Sequence, residues 1–171
     1  MAVLEIIKIG HPVLSVSAKP VVNIDQTIVE LASNMVKTMH QAPGIGLAAP
    51  QVNVSLRLIT VDLSVGENKD ELIVMVNPEI IEQEGEQKAE EGCLSVPGIY
   101  EKVLRPARLA VKGYNLDGQE VLIEAQDILA RVLSHEIDHL QGKLFVDRLS
   151  PLKREMIKKR LKKELAKGTN I

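Results

Sequence analysis

Aromatic rings and thiols are nearly missing from this 171-residue chain, which holds no Trp, one Phe, two Tyr and one Cys. So few rings offer no platform for stacking bases, and the core must be built from Leu, Ile, Val and Met. A lone thiol excludes an internal disulfide; as a metal ligand it must stay reduced, so a cytoplasmic setting is expected. No run of about 18 apolar residues is present, as a spanning helix would need, and Met1-Ala2-Val3-Leu4-Glu5 lacks the basic start and apolar stretch of an export signal. Neither a membrane nor DNA is expected as a partner. With 45% hydrophobic content, a chain of this length can bury a core without staples, and residues 1–171 are expected to form a single domain. The net charge of -2 hides an asymmetry. Residues 151–171 carry eight basic and two acidic side chains, a net +6 that leaves -8 elsewhere. Such a tail is either a solvated helix face or an electrostatic handle.

The strongest positive signal is His135-Glu136-Ile137-Asp138-His139. Two imidazoles four residues apart share one helix face and can grip one divalent ion, while the carboxylate beside them can take a proton from a water on that ion. Catalytic sites of this kind use three protein ligands and keep one position open. The extended zincin pattern would put a third His three residues after Gly142, but Phe145 stands there. Cys93, in Glu91-Gly92-Cys93-Leu94-Ser95, is the best candidate for the third ligand, because a thiolate suits a soft, His-rich site better than a carboxylate does.

A third segment, Gly44-Ile45-Gly46-Leu47-Ala48-Ala49-Pro50-Gln51, is uncharged and glycine-rich, as backbone that must approach a ligand closely would be. With these three motifs in this order the chain resembles the peptide deformylases, from about Ile9 to Ser150-Pro151-Leu152, including Leu144-Phe145-Val146-Asp147-Arg148-Leu149. The resemblance implies removal of the formyl group from the N-terminal formyl-methionine of nascent polypeptides, with release of formate. It implies ferrous iron as the native ion, replaceable by zinc, nickel or cobalt, on Cys93, His135 and His139. It makes Glu136 the acid–base group and gives the oxyanion two donors, the Gln51 side chain and the Leu94 backbone N–H. Backbone at Ile45, Gly46 and Gly92 suits pairing with an extended peptide, and Ile128 and Val132 would line an apolar methionine pocket with Arg131 at its rim. Tyr100 and Ser134 stand where many members carry arginine and glutamine. The helical C-terminus resembles the shorter bacterial type, whose relatives use this helix to dock on the ribosome.

The pattern of elements predicts an α+β fold, with small antiparallel sheets around a central metal-binding helix and a helix at the C-terminus. Asp25 is expected to cap a helix carrying Ile28, Leu31, Met35 and Met39, stopped by Pro43. Strands are expected at Leu56 to Val61, Leu72 to Val76 and Ile80-Ile81, then an exposed acidic stretch from Glu82 to Glu91. A hairpin joins Leu109 to Tyr114 with Val121 to Ala125. Asp127 is read as the cap of the metal helix and Gly142 as its end; Ser150 caps a last, basic helix over about 151–167, from Pro151 to Lys167, with a stripe of Leu152, Met156, Ile157, Leu161 and Leu165. Tyr114 and Phe145 are expected in the core, and His11 and His40 in structural or exposed places. Asp138 is expected to hold its helix through Arg105. Two rival functions are an endopeptidase using the same helix and an RNA-binding module with a structural metal.

Overall fold

The computed structural model describes residues 2–166, with side chains through Glu164. Among these residues seven strands and three α-helices form an α+β fold of two antiparallel sheets. The larger sheet has the order β1 (Gly46–Ala48), β2 (Leu58–Val61), β3 (Ile73–Glu84), β6 (Arg108–Tyr114) and β7 (Glu120–Gln126). The smaller is a hairpin of β4 (Gln87–Cys93) and β5 (Val96–Arg105).

Helix α1 (Gln26–Gln41) begins where the Asp25 carboxylate accepts the N–H of Ile28, satisfying one of the orphan donors of the first turn. Its buried Ile28, Ala32, Met35 and Met39 pack with Leu47, Leu58 and Val76. Helix α2 (Asp127–Leu140) lies against the large sheet, where Ala130, Leu133, Ile137 and Leu140 meet Ile59, Met75, Leu109 and Val111. Every residue of α2 from Ala130 to Leu140 is buried, the polar ones included. Gly142 ends the helix at φ 75°, and a Cβ there would lie 2.8 Å from the Ser15 backbone. Helix α3 (Pro151–Ala166) starts on Ser150, whose hydroxyl accepts the Lys153 N–H, and packs Ile157 and Leu161 against Val96, Val103 and Phe145.

Several expectations need correction. The strands expected at Leu72 to Val76 and at Ile80-Ile81 merge into the single strand β3, which starts at Ile73, and Asn77-Pro78 makes an irregularity within it. Asn77 adopts φ 52° and its amide holds both the N–H and the C=O of Val21, at 2.8 and 3.0 Å. The acidic stretch is largely exposed as expected, on the end of β3 and on β4, but Glu91 at its end is buried. Strand β5, with Pro97 and Gly98 near its start, had no counterpart in the sequence reading. Asp127 does not cap α2: it is the first helical residue at φ 56°, Gln126 before it makes no side-chain cap bond, and the Asp127 carbonyl is taken by the Gln87 amide at 2.8 Å. Tyr114 is 40% exposed rather than core, whereas Phe145 is buried. Leu152 and Met156 are exposed, so only Ile157 and Leu161 of the α3 stripe are buried, and the Leu165 side chain and Lys167 lie outside the described residues.

Candidate active site

A cavity of about 460 Å³ opens between the segment leading into β1, the β4–β5 hairpin and α2. Cys93 and His135 line it and His139 is buried behind them; the ligand atoms of the three all lie within 4.8 Å of one another, with the sulfur 3.4 Å from His139 Nε2. The histidines converge because i, i+4 positions share a helix face; the cysteine arrives from the end of the hairpin, where Cys93 pairs with Val96. One thiolate and two imidazoles clustered this closely form a fitting donor set for a divalent transition ion with an open position.

Glu91 organises this cluster. Its Oε1 accepts from His135 Nδ1 at 3.0 Å and from Arg105 at 2.8 Å, while Oε2 accepts from Arg105 at 2.9 Å and from Arg131. Holding Nδ1 in this way turns Nε2 toward the cavity and fixes the ring, as a carboxylate behind a ligating histidine does. Arg105 is completely buried and also reaches Asp138 at 2.6 Å, which a second arginine, Arg148, grips from the other side. Burial alone would push the Glu91 carboxyl up, but hydrogen bonds from Arg105 and His135 hold it at about 2. Burial would lower the His135 imidazole, yet Glu136, Cys93 and Glu91 raise it to about 10. His139 goes the other way: burial first, then the positive charges of His135 and Arg105, keep its ring neutral.

Glu136 is buried, with Oε1 free of any protein partner and Oε2 at 3.9 Å from His135 Nε2. Burial raises its carboxyl to about 7, against the pull of His135 and Arg105, which suits a group that must take and return a proton near neutrality. Gly46 makes room for it: a Cβ there would stand 2.5 Å from Glu136 Oε2 and 2.9 Å from Val132 Cγ1. Gly92 has a comparable constraint, because a Cβ would enter the ring of Tyr100 at 2.5 Å.

The remaining candidates fall as follows. Gln51 is buried; its carbonyl oxygen accepts the Ala48 N–H at 3.0 Å, which aims the amide nitrogen at Ser95 Oγ, 3.2 Å away, and Cys93 Sγ, 3.6 Å away. Leu94, Ile45, Gly46, Gly92 and Val132 all line the cavity. Ile128 does not: it is 60% exposed on the first turn of α2 and stands outside the cavity lining. Arg131 lines the cavity too, but as a buried group joining α2 to the hairpin through Glu91, the carbonyls of Ala89 and Val103, and Gln87. Ser134 is buried under Arg105, and Tyr100 stands exposed at the mouth. His11 caps a short turn through Val13 N–H, and His40 pairs with Asp62 at 2.7 Å. Sequence reasoning missed the part played by Glu91; the requirement that a ligating imidazole find an acceptor for its second nitrogen was the signal that could have found it.

Comparison with known proteins agrees with this geometry. The family model described as polypeptide deformylase matches residues 3–155. Peptide deformylases from Halothermothrix orenii and Syntrophobacter fumaroxidans are 54% and 48% identical over 92% and 99% of this chain, covering 100% and 99% of their own lengths. The crystal structure of a peptide deformylase from Legionella pneumophila superposes with a TM-score of 0.90 at 44% identity, covering 99% of this chain and 100% of that one. On matched motifs, fold and nearly complete coverage, the chain belongs to the polypeptide deformylase family, metal-dependent hydrolases that remove the formyl group from the N-terminus of nascent peptides.

Proposed function

We propose that the deformylation is carried by Glu136, Gln51 and Leu94 working over a metal held by Cys93, His135 and His139. The observation that carries this assignment is the convergence of the three ligand atoms beside a buried carboxylate whose Oε1 has no other partner. When bound, the ion supplies Lewis-acid activation of water and of the formyl oxygen near neutral pH. Ferrous iron is the native occupant in this reading, with zinc, nickel or cobalt able to replace it. Glu136 takes the proton of the attacking water and passes it to the departing amine. The Gln51 amide and the Leu94 N–H donate to the oxyanion that develops on the formyl group. Ordering of the Gln51 amide by Ala48 and Ser95 removes the cost of aiming it during the reaction.

Peptide binding uses the edge of the large sheet. Among the described residues β1 pairs on one side alone, with β2, so Gly46 and Ile45 just before it present an open edge to an extended substrate, and Gly92 lines the same cavity. Main-chain pairing of this kind is indifferent to side chains and fits a substrate class of many nascent chains. Val132 lines the methionine pocket, and Ile128 acts at most from its outer margin. The basic face of α3 docks on the ribosome, and the enzyme works in the cytoplasm, where its thiolate stays reduced. Among the described residues no helix is long and apolar enough to cross a membrane.

Formate release from a formyl-methionyl peptide, compared with cleavage of an internal peptide bond, tests the activity against the endopeptidase alternative. Loading the apoprotein anaerobically with ferrous or zinc ion, followed by metal analysis and the same assay, tests the choice of metal. Co-sedimentation with ribosomes, with and without residues 151–171, tests the docking.

A further inference from the structure

Both proposed oxyanion donors sit on turns rather than in a strand ladder: Gln51 in a single helical turn, Ala49–Val52, and Leu94 in the tight connection of the hairpin. Neither position is fixed by sheet pairing. One short piece of chain touches both. The N–H of Ile7 donates to the backbone carbonyl of Gln51 at 2.8 Å, the Lys8 ammonium to the backbone carbonyl of Leu94 at 3.3 Å, and the N–H of Ile9 to the backbone carbonyl of Ser95 at 2.8 Å. The segment is anchored at both ends, with Ile6 packed into the cluster around α1 and Ile9 into the cluster of the hairpin. It therefore ties the body that carries Gln51 to the body that carries Leu94.

We propose that Ile7–Ile9 is a positioning element of the active site, and that Lys8, through the Leu94 carbonyl, sets the orientation of the hairpin turn whose N–H faces the oxyanion. This rests on the assignment of Gln51 and Leu94 as oxyanion donors. Lys8 touches neither substrate nor metal ligand in this role. It acts by holding a donor still, and misplacement of a catalytic group by about 1 Å can cost up to ~10²-fold in rate.

The test measures kcat and KM for formate release from a formyl-methionyl peptide, metal content and the urea unfolding midpoint for the wild type, Lys8→Met, Lys8→Arg and Gln51→Ala. Lys8→Met is expected to lower kcat and kcat/KM together by about tenfold, with KM and metal content unchanged, as loss of a transition-state interaction does. Lys8→Arg, which keeps a cationic donor, is expected to recover most of that loss. Gln51→Ala is expected to lose ~10²–10³. If Gln51→Ala loses turnover while Lys8→Met stays within about twofold of wild type, the positioning role is overturned and the oxyanion assignment stands. A loss in Lys8→Met that follows a lower metal content or unfolding midpoint, and that Lys8→Arg does not repair, overturns it equally. Full turnover in Gln51→Ala removes the oxyanion assignment and the positioning role with it.

Discussion

Replacing Glu91 by glutamine should damage stability and metal binding together. The carboxylate is buried, accepts from Arg105 twice and from Arg131 and His135 once each, and faces a fully buried Arg105 guanidinium. Removing one partner of a buried ion pair costs about 3–5 kcal/mol, because the charge left behind has been taken out of water without compensation. The amide keeps one acceptor oxygen and Asp138 still faces Arg105, which places Glu91→Gln near the lower end, at about 3 kcal/mol. Out of a total of about 5–15 kcal/mol that is a large share, yet the variant should still fold. The second effect is on the imidazole: with its acceptor altered, His135 loses its fixed ring orientation, and metal affinity should fall by about 10- to 100-fold. Urea unfolding at neutral pH reads the first effect as a lower midpoint at constant slope, and chelator competition reads the second. A stability loss under about 1 kcal/mol would refute the reading of Glu91 as the counter-charge of the arginines. Unchanged metal affinity would refute its role in orienting His135.

Three further outcomes are expected. Gln51→Ala should keep near-normal metal content while turnover falls by ~10²–10³, checked by metal analysis beside the formate assay; apoprotein would contradict the oxyanion role. Gly46→Ala puts a methyl 2.5 Å from Glu136 Oε2, so the carboxylate must move, and turnover should fall by up to ~10²-fold with the protein folded and metal retained. Asp62 supplies a pH test. Burial pushes its carboxyl up, but hydrogen bonds from Ser64, His40 and the Gly66 backbone outweigh that and hold it below its ordinary value of 3.8. A depressed folded-state value means stabilisation that is complete above the unfolded value and lost as pH falls through the folded one. The wild type should therefore exceed Asp62→Asn in urea unfolding at pH 6, and the gap should close on acidification below about 4.

The three converging ligand atoms were all legible in the chain, because the spacing of His135 and His139 expresses helix geometry directly and Cys93 was the only thiol on offer. The helices were legible for a similar local reason, through Asp25, Gly142 and the Ser150-Pro151 start. What escaped is long-range. Strand β5 exists because its partner β4 pairs with it across the turn that carries Leu94, although Pro97 and Gly98 argue locally for a loop. Asn77-Pro78 carries the local signature of a turn, yet Val21, 56 positions away, holds Asn77 inside a strand. Asp127 looks like a cap, yet it is the first helical residue, at φ 56°, and its carbonyl accepts from the Gln87 amide, 40 positions earlier in the hairpin. The same hairpin hides Glu91, an acid in an acidic run whose partners Arg105, Arg131 and His135 lie 14 to 44 positions later.

Among the described residues the hairpin shares no hydrogen-bonded ladder with the five-stranded sheet. Sulfur and imidazoles thus ride on different elements, joined by Glu91 with Arg131 and His135 and by the backbone of Ile7–Ile9, and an ion bound by all three would act as a further rivet between them. Stripping the ion should accordingly quicken deuterium uptake at the amides of residues 87–105 before it does so in α2, so that a hydrolytic cofactor doubles as the fastener of the wall it works against.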